Sequence, residues 1–213
     1  MAYDINSFYN LLEQLDGKEF IESYISYNAA LISSKAKPSI TLTIKKKPHN
    51  KIYNLWNCYG IETLNNLNLE SVVLREGNDF IILLIYNREF LQEFLNKKEN
   101  KSFLEQLGYE VSEGLECLLC KLVERYGIYK CPHELGVFLG YPIDDVKGFM
   151  NCSRNECIFC GYWKVYKNEE RARELFKLFD SIKNITIEKL VSGKKGKEVS
   201  LYLTNEFAGK ITI

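Results

Sequence analysis

The sequence predicts an α+β protein: a small, mainly antiparallel sheet packed with several helices, including a helix-turn-helix-like corner at 132–150, plus a C-terminal β-hairpin. Three observations carry that expectation. Residues 39–45 (SITLTIK) alternate apolar and polar side chains at the period of a strand. Residues 71–74 and 80–86 (FIILLIY) are β-rich runs joined by the turn residues REGND, the pattern of a hairpin. Several other stretches repeat apolar residues at helical spacing.

Taken in order, Ile5, Phe8, Leu11, Leu12 and Leu15 mark an N-terminal helix over 3–16, with Asp4 as its cap. Residues 56–70 fit neither period. The run 80–86 is apolar on both faces, which places it at the centre of its sheet. Residues 88–97 and 112–126 are amphipathic helices, and 169–182 is another, with Ala172, Leu175, Phe176 and Phe179 on one face. Residues 185–191 and 198–203, flanking SGKKGK, read as a hairpin with a lysine-rich tip. The economical organisation is one α+β domain over 1–184 with a β appendage over 185–213.

The 213 residues can bury a core without disulfide staples, and 28 basic residues cancel 28 acidic ones. Such a balance provides no field for a polyanion or an anionic membrane. The longest apolar run is far below the roughly 20 residues that span a bilayer. The first residues, MAYDINSFYNLLEQL, lack the basic start and apolar centre of a signal peptide. Seven cysteines, an odd number, then imply reduced thiols and a cytoplasmic location.

The chemistry-bearing residues concentrate between Cys131 and Tyr166. Pro132 suits the first turn of a helix, with His133 and Glu134 following it. Leu135, Phe138 and Leu139 form an apolar face, Gly140 stops the helix, and a second helix runs from Asp144-Asp145 through Phe149. Gly136, four residues before Gly140, and Val146, six after it, give helix-turn-helix spacing. As a nucleic-acid reader this corner is poor, because two carboxylates would meet phosphates. A structural corner, or an adaptor surface for a protein partner, fits it better.

Three chemical readings compete with plain structural roles. Cys152, Cys157 and Cys160 are spaced C-x4-C-x2-C, three positions of an iron–sulfur pattern, and Cys131 or His133 would complete a four-ligand cluster or zinc site. Alternatively they are ordinary loop thiols. An enzyme would use His133 or Glu134 in acid–base chemistry and Cys160 as nucleophile. A binding protein would hold an anionic or metal-linked small molecule between the corner and the strand YWKVY, through Tyr141, Asp145, Lys147, Tyr162, Lys164 and Tyr166. The bland reading makes those aromatics core and rim.

HELGVFLGYPIDDVKGF followed by CGYWKVY, together with YNAA…KPS and FIILLIYN upstream, resembles an uncharacterised bacterial family, domain of unknown function 3793, over about residues 20–182. The resemblance implies a cytoplasmic protein of anaerobic bacteria without established activity. It directs attention to His133, Glu134, Gly140, Tyr141, Pro142, Asp145, Lys147, Gly148, Phe149, Cys160, Gly161, Tyr162, Lys164 and Tyr166. Cys152 and Cys157 depart from the family pattern, which argues against a family-wide cluster, and the tail beyond about Asn184 is longer than usual.

Overall fold

The computed structural model describes residues 4–47, 49–151 and 156–210. They divide into two compact units, one of residues 1–87 with 179–213 and the other of residues 88–178.

The first unit opens with α1 (Ile5–Gln14). Asp4 caps it by accepting the Ser7 N–H at 2.9 Å, and the Ser7 hydroxyl accepts the Asp4 N–H in return. Then come α2 (Gly17–Asn28) and α3 (Ala30–Ser33), which bury Phe20, Ile21, Ile25, Leu31 and Ile32. Strand β1 (Ser39–Lys45) follows the expected alternation, burying Leu42 and Ile44. The stretch 56–70, which fitted neither period, is helical over most of its length: a π-helical turn over Trp56–Gly60 continues α4 (Lys51–Leu55) and leads into α5 (Ile61–Asn66), and Glu70 opens the next strand. A wider turn shifts the helical register, so no single period describes the segment.

Strands β2 (Glu70–Glu76) and β3 (Phe80–Tyr86) form the expected hairpin. The sheet order is β1-β3-β2, all antiparallel, with β3 central and a bulge in β2 between Val73 and Arg75. Leu83, Leu84 and Ile85 are almost completely buried, as a two-sided central strand requires.

The second unit holds α6 (Arg88–Leu95), α7 (Lys98–Gln106), a 3₁₀ turn over Val111–Glu113, and α8 (Leu115–Tyr129). The corner follows as α9 (Leu135–Phe138) and α10 (Ile143–Met150). Next is a two-stranded antiparallel ribbon, β4 (Phe159–Cys160) with β5 (Lys164–Val165).

The expected C-terminal β-hairpin is not formed. Residues 185–191 continue α11 (Glu169–Val191), and residues 198–203 lie in α12 (Gly196–Phe207). The reason lies in the spacing of the buried side chains. Ile182, Thr186, Ile187 and Leu190 are buried at intervals of three and four, and so are Val199 and Leu203. This burial outweighs the β-branched content of ITIEKLV. The Thr186 hydroxyl is satisfied within the helix, donating to Ile182 O at 2.7 Å. Gly193, at φ +85°, ends α11, so residues 192–195 form a helix-to-helix turn rather than a strand tip, and Gly196 and Lys197 already belong to α12.

Lys183 of α11 points its ammonium at the end of α2, donating to Tyr27 O and, at 3.2 Å, to Asn28 O. Burial lowers its pKa to about 7, and nearby Lys37 adds repulsion. Lys37 is itself buried, which lowers its pKa to about 8.

Candidate functional site: an apolar cavity beside the helical corner

The corner packs as its spacing predicted. A Cβ on Gly136 would lie 2.8 Å from Val146 Cγ2 and 3.1 Å from Tyr141 Cδ2, so only glycine lets the two helices approach this closely. Gly140, at φ +77°, turns the chain after α9. One detail differs. The α-helix starts at Leu135, and Pro132–Glu134 form the turn before it, with Leu135 N–H donating to Pro132 O. His133 therefore stands ahead of a four-residue helix rather than in the first turn of a longer one.

Asp145 is the main joint of this unit. It is buried, and its carboxylate accepts three N–H groups: Trp163 Nε1 at 2.7 Å, the Tyr166 amide at 2.7 Å and the Lys167 amide at 2.9 Å. The carboxylate thereby ties β5 and its flanks to the first turn of α10, where the helix dipole also favours a negative charge. Gly148, one helical turn further on, makes room for the Tyr166 ring, whose Cγ would lie 2.4 Å from an added Cβ. Trp163 stacks on Tyr141 at 5.2 Å and meets Phe176 edge-on at 4.5 Å.

These contacts leave a cavity of about 270 Å³ between the corner and the ribbon. Its apolar walls are Pro132, Leu135, Gly136, Leu139, Val146, Phe149 and Trp163. Cys131, His133, Tyr141, Asp145, Tyr162 and Lys164 complete the lining. Of these, Asp145 is committed to the three N–H groups above. The Tyr141 hydroxyl donates to Tyr162 O at 3.4 Å, and burial raises its pKa.

His133 and Lys164 are both exposed, and both rest on Phe149. The imidazole meets that ring edge-on at 4.8 Å, and the Lys164 ammonium lies 5.5 Å from its centroid. Among the described residues Lys164 has no ion-pair partner.

The sequence-predicted residues thus separate. His133, Tyr141, Asp145, Tyr162 and Lys164 line one cavity, and Cys131 joins them. Glu134, Lys147, Cys160 and Tyr166 do not line it.

Glu134 is buried and accepts from Arg125 Nε and from the Tyr109 hydroxyl at 3.1 Å. Burial, then the Glu134 charge, pushes the Tyr109 phenol far above its ordinary range. The hydrogen bond to Glu134 raises Arg125 further. Glu134 is accordingly the acceptor of a structural ion pair linking α8 to the corner. Sequence reading missed this pair, because nothing in the spacing of 109, 125 and 134 signals it.

Lys147 lies over the Phe103 ring of α7, and Asp144 pairs with Lys167 at 3.3 Å. Cys160 is exposed on β4, directly opposite Lys164 in the ribbon.

The metal reading calls on Cys131, Cys152, Cys157 and Cys160. Cys131, Cys157 and Cys160 do not come together as a group of ligand atoms, and Cys152 lies outside the described residues. The group of potential ligand atoms that does come together is Glu110, Glu113 and Cys117 at the start of α8, where burial, followed by the two carboxylates, raises the Cys117 thiol.

Fold and site together define an α+β protein with an apolar, aromatic-walled cavity of small-molecule size in its second unit. The chain belongs to the family described as protein of unknown function, DUF3793, whose model matches residues 25–200. The match runs past the expected limit near 182 and takes in the start of α12, so most of the C-terminal pair of helices is part of the family pattern. Comparison with curated proteins and with solved structures finds no match. No described helix is long and apolar enough to cross a membrane.

Proposed function

We propose that this protein is a small-molecule-binding protein of the cytoplasm, and that its ligand occupies the cavity between the helical corner and the β4–β5 ribbon. One observation carries the reading: a cavity of about 270 Å³ has mainly apolar and aromatic walls, with His133, Tyr162 and Lys164 among its few polar members. That volume is near the lower end of the roughly 300–1,000 Å³ usual for ligand pockets. Asp145, the most deeply buried charge in the lining, has its acceptors filled by the scaffold, so it shapes the cavity rather than binding the ligand. The cytoplasmic assignment rests on the described cysteines, which are all free thiols.

Catalysis has weaker support. Glu134 is committed to Arg125 and Tyr109, and Cys160 does not share the cavity with His133. Native mass spectrometry of the full chain, titrated with a small-molecule fragment library, tests the binding reading. Wild type forms one-to-one adducts, and Val146→Phe, which fills the cavity from the α10 side, loses them. Adducts that persist unchanged in a folded Val146→Phe protein would place the ligand elsewhere.

A further inference from the structure

The chemistry of the cavity narrows its ligand class, on the footing of the binding role just proposed. Four aromatic side chains are among its walls: Trp163 and Tyr141, which stack on each other 28° apart, Tyr162, and Phe149, on which both exposed polar residues rest. Flat aromatic walls favour a flat guest, because offset stacking and edge contacts add to simple apolar burial.

The electrostatics are one-sided. Among the described residues, Asp145 is the only carboxylate in the lining, and three N–H groups already surround it. Lys164 brings its ammonium group to the cavity and has no ion-pair partner among the described residues. Its ammonium rests on Phe149, a contact that is weak at an exposed site and easily exchanged for a charged hydrogen bond. His133 rests on the same ring and offers an N–H beside it. A guest carrying one negative charge would complete this arrangement, whereas a cationic guest would meet Lys164 with nothing to offset it.

We propose that the cavity takes planar aromatic monocarboxylic acids of roughly one to two rings, with the carboxylate received by Lys164 and His133 and the ring placed against Phe149 and Trp163.

Isothermal titration calorimetry of the full chain with benzoate and 2-naphthoate, against their primary amides and against octanoate, tests this. The aromatic acids bind at least tenfold more tightly than the amides and more tightly than octanoate. Lys164→Met lowers acid affinity at least tenfold and changes amide affinity far less, and Lys164→Arg restores acid binding. Lys164 is exposed, so these variants keep the wild-type circular dichroism.

Equal affinity for acid and amide would overturn the charge assignment while leaving the cavity as a ligand site. Octanoate binding as tightly as 2-naphthoate would overturn the planar assignment in the same way. Absence of binding by every probe, with fragments also failing to form adducts, would remove both this inference and the binding role beneath it.

Discussion

The Asp145 carboxylate accepts the indole N–H of Trp163 at 2.7 Å across eighteen residues of chain, and with its other oxygen it holds the amides of Tyr166 and Lys167. This joint sets the distance between the helical corner and the ribbon, and hence the existence of the cavity. Asp145→Asn would turn one acceptor into a donor facing an N–H. The expected loss is about 3 kcal/mol of stability, since at least one buried donor is left unsatisfied. Urea denaturation of the variant checks it, and ligand binding should weaken in parallel.

The Arg125–Glu134 pair should behave as a scaffold contact. Arg125→Met strands a buried carboxylate and costs about 3 kcal/mol. Adding Glu134→Leu to that variant should recover most of the loss, because the uncompensated charge is gone. A double-mutant cycle by chemical denaturation measures the coupling. If Glu134 served acid–base chemistry instead, stability would be restored but ligand chemistry would not.

Lys183 and Lys37 make stability depend on pH in a defined direction. Their folded pKa values, about 7 and about 8, lie below the unfolded value of 10.5. Between these limits the unfolded chain holds more protons, so stability rises with pH. The gain is full above the unfolded value and is lost as pH falls toward 7. Buried Tyr109 and Tyr141, with raised pKa values, act oppositely above pH 10, where only the unfolded chain ionises. The denaturation midpoint should therefore climb from about pH 7 to about pH 10 and then decline. Lys183→Met should flatten the climb.

Close packing at Gly148 gives a further test. An alanine there would place its Cβ 2.4 Å from the Tyr166 ring. Gly148→Ala should destabilise the protein by about 1–3 kcal/mol by prising the ribbon from α10, despite the better helix propensity of alanine. Thermal unfolding reads the shift.

Much of this architecture was legible in the sequence. The strands at 39–45 and 80–86 declare themselves by alternation and by an unbroken apolar run, and Gly136, Gly140 and Val146 mark the corner by spacing alone. The tail was misread because Ile185, Ile187 and Val191 favour strands locally, while the choice is made by a buried face that includes Ile182 and Thr186. At the site, sequence proximity brought His133, Tyr141, Tyr162 and Lys164 under one heading, and the cavity lining includes all four. What a sequence does not encode visibly is commitment. Asp145 and Glu134 look like available functional charges until their partners are seen to occupy them.

In the function proposed above, the cavity beside the corner receives a small molecule. Two-dimensional NMR of the full-length protein, titrated with aromatic acid fragments, addresses it most directly. Saturable shifts are expected at the Trp163 indole, Phe149, Tyr162 and Lys164, and Val146→Phe abolishes them. Shifts confined to residues 4–87 and 179–210, or unaltered by filling the cavity, would contradict it.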